Sequence, residues 1–182
     1  IKKRPESPEA NYNMGRFFLH NHKEDAAKDY LVNAINLYED SIKMTPKRTI
    51  RQIDAMRLYG ELIAGGKLYN EAQTIYSNAL AKYETYTSQK SVYPSAVIGK
   101  LYADYGDISY FIAGDYDDAL DAYENAVKEL NDSPSIQYRI GYIHYQKENY
   151  AEAMKAMTLA YSQKPNDRNL LYGFGNVLFK HT

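Results

Sequence analysis

Four histidines, 20 tyrosines and a run of carboxylates are the side chains in this 182-residue sequence on which chemistry would draw; cysteine and tryptophan are absent. Without cysteine there is no disulfide, no thiolate zinc site and no sulfur nucleophile. His20 and His22 stand two positions apart, which sends them to different sides of a helix, and no third ligand lies at helical spacing. They read as residues at a helix end. His144 falls on a core-forming face of its helix, and His181 falls in the C-terminal tail. Between Asp104 and Asp132 the chain carries nine carboxylates against one cation, Lys128. Within that run, Asp115-Tyr-Asp-Asp118 lacks the spacing, the central glycine and the closing glutamate of a calcium loop. Its carboxylates suit the first turn of a helix, where the peptide dipoles favour negative charge. Lys43, Lys47, Arg48, Arg51 and Arg57 form a basic cluster that reads as a solvated helix junction. A formal net charge of −1 gives no general drive toward nucleic acid. There is no phosphate loop, no nucleophile elbow and no carboxylate pair that stands out from the acidic background. The expectation is a protein that is not an enzyme and holds no cofactor and no metal.

The elements that position these side chains follow from small residues on one ruler. Gly141, Ala153 and Ala160 are twelve and then seven positions apart. Gly60, Ala72 and Ala79 repeat the spacing, as do Gly15, Ala27 and Ala34. Asp107, Ala119 and Ala126 repeat it with the glycine replaced, and Gly175 opens a fifth copy. Glycine and alanine belong where two helix backbones approach closely, because a larger side chain would push the helices apart. Leu31, Tyr76, Tyr123 and Met157 each follow the first alanine by four, so each pair shares one helical face. Each copy is therefore expected to be two antiparallel helices.

Punctuation agrees with the ruler. Ser7-Pro8, Thr45-Pro46 and Ser133-Pro134 read as a capping hydroxyl followed by proline at the first helical position, and Pro94 and Pro165 mark two further boundaries. Asn21 to Glu24 has the form of a capping box. The second helix of the first copy is expected to run on through Ile42, and Ala64-Gly-Gly66 is expected to end the third helix. The connection from Thr87 to Pro94 reads as an extension of its helix plus a turn. A last helix, Asn169 to Lys180, carries Leu171, Phe174, Leu178 and Phe179.

Small residues at this spacing, with Gly114-Asp-Tyr116 or Glu148-Asn-Tyr150 at the turn and Pro165 closing the unit, resemble the tetratricopeptide repeat, a helix-turn-helix of about 34 residues. The last two copies keep that period, whereas Ala27 to Ala72 is 45 residues and Ala72 to Ala119 is 47. The resemblance implies an all-α, right-handed superhelix in one solenoid over 1–182. Its repeats would span about 7–45, 46–93, 94–132 and 133–166, with a C-terminal helix at 167–182. It implies a groove lined by the first helices and a protein or peptide partner. Carried over position by position, the groove takes Tyr12 and Arg16, then Arg57 and Glu61, then Asp104, Ile108 and Phe111. Tyr138, Tyr142 and Tyr145 follow, then Tyr172 and Asn176. Tyrosine, arginine and glutamate stand where some family members clamp a C-terminal carboxylate, which disfavours a receptor for chaperone tails.

The acidic run beside those tyrosines points to a ligand with basic and apolar anchors. The alternative is a self-associating structural subunit that stacks through its terminal repeat faces. No apolar run reaches the roughly 18 residues of a membrane helix. The opening Ile1-Lys-Lys-Arg4 reads as that of a processed or excised fragment, which leaves the compartment open; the expected setting is soluble, cytoplasmic or, if a signal segment was removed, periplasmic. With 45% hydrophobic and 25% charged residues, the chain can build an ordered core.

Overall fold

The computed structural model describes residues 6–89 and 95–181. Its described residues form nine α-helices and no strand. In chain order these are α1 (Pro8–His20), α2 (Glu24–Glu39), α3 (Pro46–Gly65), α4 (Tyr69–Gln89) and α5 (Ala96–Ile108). A π-helical turn, Ser109–Ala113, continues α5. Then come α6 (Tyr116–Lys128), α7 (Pro134–Gln146), α8 (Tyr150–Gln163) and α9 (Arg168–His181). The chain divides into two units, residues 1–93 and 94–182. In the first, α1 pairs with α2 and α3 with α4; in the second, α5 pairs with α6 and α7 with α8, and α9 packs on α8.

The capping hydroxyls act as expected. Ser7, Thr45 and Ser133 each accept the backbone N–H three residues on, at 3.3 Å. The Asn21 to Glu24 box does not form. Lys23 stands at the N-cap of α2 without a side-chain bond, and Asn21 instead donates to the Phe17 carbonyl at the end of α1. Nor does α2 reach Ile42, which is 99% exposed. The helix stops at Glu39, and the Ser41 hydroxyl takes up the Leu37 carbonyl at 2.7 Å. Helix α4 extends to Gln89, so the connection read from Thr87 begins as helix. Its remainder, with Pro94, lies outside the described residues.

Packing confirms the ruler in three copies. All of its alanines are fully buried: Ala27, Ala34, Ala72, Ala79, Ala119, Ala126, Ala153 and Ala160. A Cβ added at Gly15 would sit 2.8 Å from the Leu31 side chain, and one at Gly141 would sit 2.8 Å from Met157. At Gly60 it would run into the Tyr76 ring. Each glycine is thus a socket for the bulky residue sixteen positions on, contributed by the partner helix.

The third copy corrects the sequence reading. Its socket is Gly106, not Asp107: a Cβ on Gly106 would sit 2.9 Å from the Tyr123 ring. Here socket and bulky residue are seventeen apart. The extra residue can be located. In the other copies a residue with left-handed backbone follows the socket by seven: His22 (φ 55), Lys67 (φ 66) and Glu148 (φ 60). Gly114 (φ 68) follows Gly106 by eight. The turns close with N–H to carbonyl bonds five apart, Lys23 to Phe18, Leu68 to Ile63 and Asn149 to His144. In the third copy Asp115 reaches back six, to Ser109, at 2.9 Å. The inserted residue is absorbed by the π-helical turn, which winds more residues per turn than an α-helix.

Helix α9 also differs from expectation. Leu170, Gly173 and Val177 are its buried side, while Leu171 and Leu178 are 45% and 42% exposed. Gly173 is the residue against the Tyr138 ring, and Gly175 has nothing within 4 Å of its added Cβ.

Candidate functional site

The expected groove residues separate into those inside the fold and those on its surface. In the first unit Tyr12 and Arg57 are inside, at 6% and 5% exposure. The Tyr12 hydroxyl donates to Asp54 Oδ2 at 2.6 Å, and Arg57 Nε donates to Asp54 Oδ1 at 3.0 Å. Arg57 also pairs with Glu61 at 3.0 Å. This network ties α1 to α3, so two positions expected to meet a partner hold the fold together instead. Arg16 is exposed, with its guanidinium 5.5 Å from the Tyr12 ring centroid.

In the second unit Ile108 is buried at 6% and likewise offers no surface. Asp104 is half-buried. Phe111 and Tyr172 stand out at 61% and 74% exposure, and Asn176 is exposed four residues beyond Tyr172 on the same side of α9. Tyr138, Tyr142 and Tyr145 are half-buried. One side of this stripe packs against Ala153, Met157 and Val177, and the other remains open. The three tyrosines therefore both fill a helix junction and present surface.

Tyr110 joins them, and sequence reasoning missed it. It sits in the π-helical turn, with its ring 4.6 Å from Phe111, 5.5 Å from Tyr116 and 6.2 Å from Tyr142. Tyr142 lies 6.5 Å from both Tyr138 and Tyr145. These separations and tilts are those of aromatic pairs in favourable edge-on or offset contact. The available signal was the Tyr110-Phe111 doublet just before Gly114, which the misplaced third copy obscured.

Beside the cluster lies a cleft of about 300 Å³. Tyr110, Phe111 and Tyr138 form its walls together with Arg139, while Lys164 and Leu170 also line it. The Arg139 guanidinium sits 5.1 Å from the Phe111 centroid and 5.7 Å from that of Tyr123, and it pairs with Asp107. Asp107 also accepts the Tyr123 hydroxyl at 2.8 Å. The acidic run is used within the fold in the same way. Asp115 caps α6, Asp117 pairs with Lys147, and Asp118 accepts the Ser109 hydroxyl at 2.6 Å. Asp167 caps α9 through the N–H groups of Asn169 and Leu170.

Burial raises the proton affinity of Tyr12, Tyr110 and Tyr123. Burial first, then the Asp54 acceptor, pushes Tyr12 up to about 12. Burial and the neighbouring tyrosines push Tyr110 up to about 12, and burial with Asp107 also pushes Tyr123 up. A folded value above the ordinary 10.0 means a stabilisation fully present below about pH 10 and lost as the pH rises through about 12. Denaturant midpoints are expected to hold steady to about pH 9 and fall above about pH 10, with part of the tyrosinate absorbance appearing only on unfolding. A midpoint unchanged at about pH 12 would contradict the assignment.

His20 and His22 are exposed around the end of α1, and His144 is half-buried with Nδ1 enclosed and unbonded. Among the described residues no three histidines or carboxylates converge as a metal site. None of the described helices is long and apolar enough to cross a membrane.

Residues 108–168 match the family model of the tetratricopeptide repeat. No curated protein matches the sequence. Among solved structures, YrrB, described as a tetratricopeptide-repeat protein with an unusual peptide-binding site, superposes with a TM-score of 0.72 at 15% identity, over 97% of this chain and 79% of that one. BtubC from P. vanneervenii gives 0.70 at 13% identity, over 95% and 72%. MamA from Desulfovibrio magneticus RS-1 gives 0.66 at 16%, over 96% and 85%. At these identities the likeness is one of fold.

Proposed function

We propose, for a chain whose fold is that of the tetratricopeptide repeats, a non-catalytic protein–protein interaction module that receives a peptide or partner helix on the tyrosine-rich face of its second unit. The fold itself supports an interaction module. The finer reading is carried by one observation: the half-open row Tyr138, Tyr142 and Tyr145, continuous with Tyr110 and the exposed Phe111. Tyrosine supplies contact area and a hydroxyl at low entropic cost and is enriched at binding hot spots. Tyr172 and Asn176 extend the face along α9. YrrB, with its peptide-binding site, adds an analogy of fold. The ligand is read as carrying apolar or aromatic anchors. A basic anchor has less support, because Asp107, Asp115, Asp117 and Asp118 already have partners within the fold.

Peptides selected from a random display library on the immobilised full chain test this. Replacing Tyr142 and Tyr172 together with alanine is expected to weaken the selected peptides by about 2 kcal/mol while helicity is kept. Tyr172→Ala alone, at an exposed position, is expected to give a measurable part of that loss without touching the core. Unchanged affinity in both variants would remove the site from this face.

The second reading is self-association through α9, favoured by its outward row Leu171, Leu178 and Phe179, the last 80% exposed. An apolar row of this kind marks an interaction surface. Light scattering over a concentration series would show a mass that rises with concentration and returns to that of the monomer in Leu178→Glu. A constant monomer mass would rule it out.

A further inference from the structure

The inserted residue of the third copy has a chemical consequence. In the other copies the residue five after the socket is His20, Gly65 or Gln146, and all three are exposed and none carries a benzene ring. In the third copy that residue is Phe111, and the widened turn adds Ile112 beyond it, 47% exposed. The turn leaves Phe111 outside and over Arg139, on the lining of the cleft that Tyr138 and Leu170 share. Single π-helical turns inside α-helices recur at functional sites.

The charges around the cleft differ in what they are free to do. Arg139 is answered by Asp107, and the Asp167 carboxylate is held by the N–H groups of α9. Lys164 lines the same cleft and has no ion pair among the described residues. Among the described residues of the cleft, Lys164 is thus the charge with neither an ion pair nor a capping role, and it stands beside an aromatic wall.

We infer that the one-residue insertion at Ser109–Ala113 makes this cleft a side-chain pocket, and that it selects an extended acidic segment of a partner protein. A phenylalanine-like side chain of that segment lies between Phe111 and Tyr138, and a following carboxylate pairs with Lys164. The aromatic side chains and Leu170 on the lining favour the ring, and a cleft of about 300 Å³ is at the lower end of the size range of ligand pockets. The lysine orients the segment and rejects a basic one. This rests on the reading of the tyrosine-rich face as the binding face and adds which ligand it prefers.

The test uses the full chain and three fluorescent synthetic peptides with identical Gly-Ser flanks around Phe-Glu-Glu, Phe-Lys-Lys or Ala-Glu-Glu. Anisotropy titrations are expected to favour Phe-Glu-Glu over each of the others by about tenfold. Lys164→Glu is expected to reverse the preference between Phe-Glu-Glu and Phe-Lys-Lys. Deleting Ile112, which restores the residue count of the other copies, is expected to weaken Phe-Glu-Glu about tenfold and leave Ala-Glu-Glu unchanged. Phe111→Ala, at an exposed position, is expected to do the same and decides the matter should the deletion unfold the chain. Equal binding of Phe-Glu-Glu and Phe-Lys-Lys would overturn the acidic selectivity while leaving the aromatic face in place. Full binding of Phe-Glu-Glu by Phe111→Ala would overturn the pocket, and so would no binding of Phe-Glu-Glu by the parent. Failure of the broader reading would show itself separately, as library peptides indifferent to Tyr142 and Tyr172.

Discussion

Asp54→Ala is expected to lower the free energy of unfolding by about 3 kcal/mol, the largest single loss foreseen for this chain. Asp54 and Arg57 are 7% and 5% exposed, and both oxygens of the Asp54 carboxylate are in use, one for Tyr12 and one for Arg57. Removing it takes the acceptor from a buried hydroxyl and the buried carboxylate from a buried guanidinium, whose pair with Glu61 is to a side chain 55% exposed. Taking the buried partner from a buried charge costs far more than the pair contributes. Asp54→Asn, which keeps an oxygen for Tyr12, is expected to lose less. Replacing Asp54 and Arg57 together with leucine and methionine is expected to recover most of the loss. Urea unfolding of the three variants is the measurement. A loss below about 1 kcal/mol for Asp54→Ala would show that water or another residue takes over the pairing.

Gly99→Ala is expected to cost about 2–3 kcal/mol through crowding alone. Its added Cβ would run into the Glu129 carbonyl, and it would lie 2.7 Å from Asn131 Cβ and 3.0 Å from the Ala126 carbonyl. Two of these are backbone oxygens at the end of α6, which cannot rotate out of the way. The Gly99 carbonyl accepts the Asn131 amide at 3.2 Å, so separating the helices also loses that bond. Gly175→Ala is the control. It sits in the middle of α9 with nothing near its added Cβ, and alanine is expected to raise stability by about 0.5–1 kcal/mol through helix propensity. Thermal melts of the two variants should move in opposite directions. If Gly99→Ala melts with the parent, the close approach of α5 and α6 is wrong.

The helix pairs could be read from the sequence because their cause is local and repeated. A small residue and a bulky one at fixed spacing must be neighbours wherever the spacing recurs, and the buried alanines bear this out. Gly106 was misread by one position because a fixed ruler has no place for a π-helical turn. Gly99 was missed because its need is set by the α6 end, which meets it across some thirty residues of chain. The groove residues were less legible. Tyr12, Arg57 and Ile108 lie on the helices that the family register assigns to a groove. Whether such a position is covered depends on its neighbours: Asp54 draws Tyr12 and Arg57 inward, and Ile108 packs inside the fold. The tyrosines of α7 were placed on the correct helix, but their double role as filler and surface needed the neighbouring helices to be seen.

The sockets also bear on how such a chain avoids folding wrongly. Four similar glycines receive four bulky residues, Leu31, Tyr76, Tyr123 and Met157, and chains of near-identical repeats are prone to pairing the wrong segments as they fold. Tyr123 carries an address. Its hydroxyl ends on Asp107, the residue just after its own socket. The residues after the other sockets are Arg16, Glu61 and Tyr142. Laid against Gly15 or Gly141, the Tyr123 helix would meet no carboxylate at that place, and a buried phenol without an acceptor costs roughly 1–3 kcal/mol. Gly60 with Glu61 is the one socket that offers a carboxylate there, on a side chain longer by a methylene, and it is the one already fitted to a tyrosine. Mispairing during folding is thus discouraged by a hydroxyl that fits only where an acid waits.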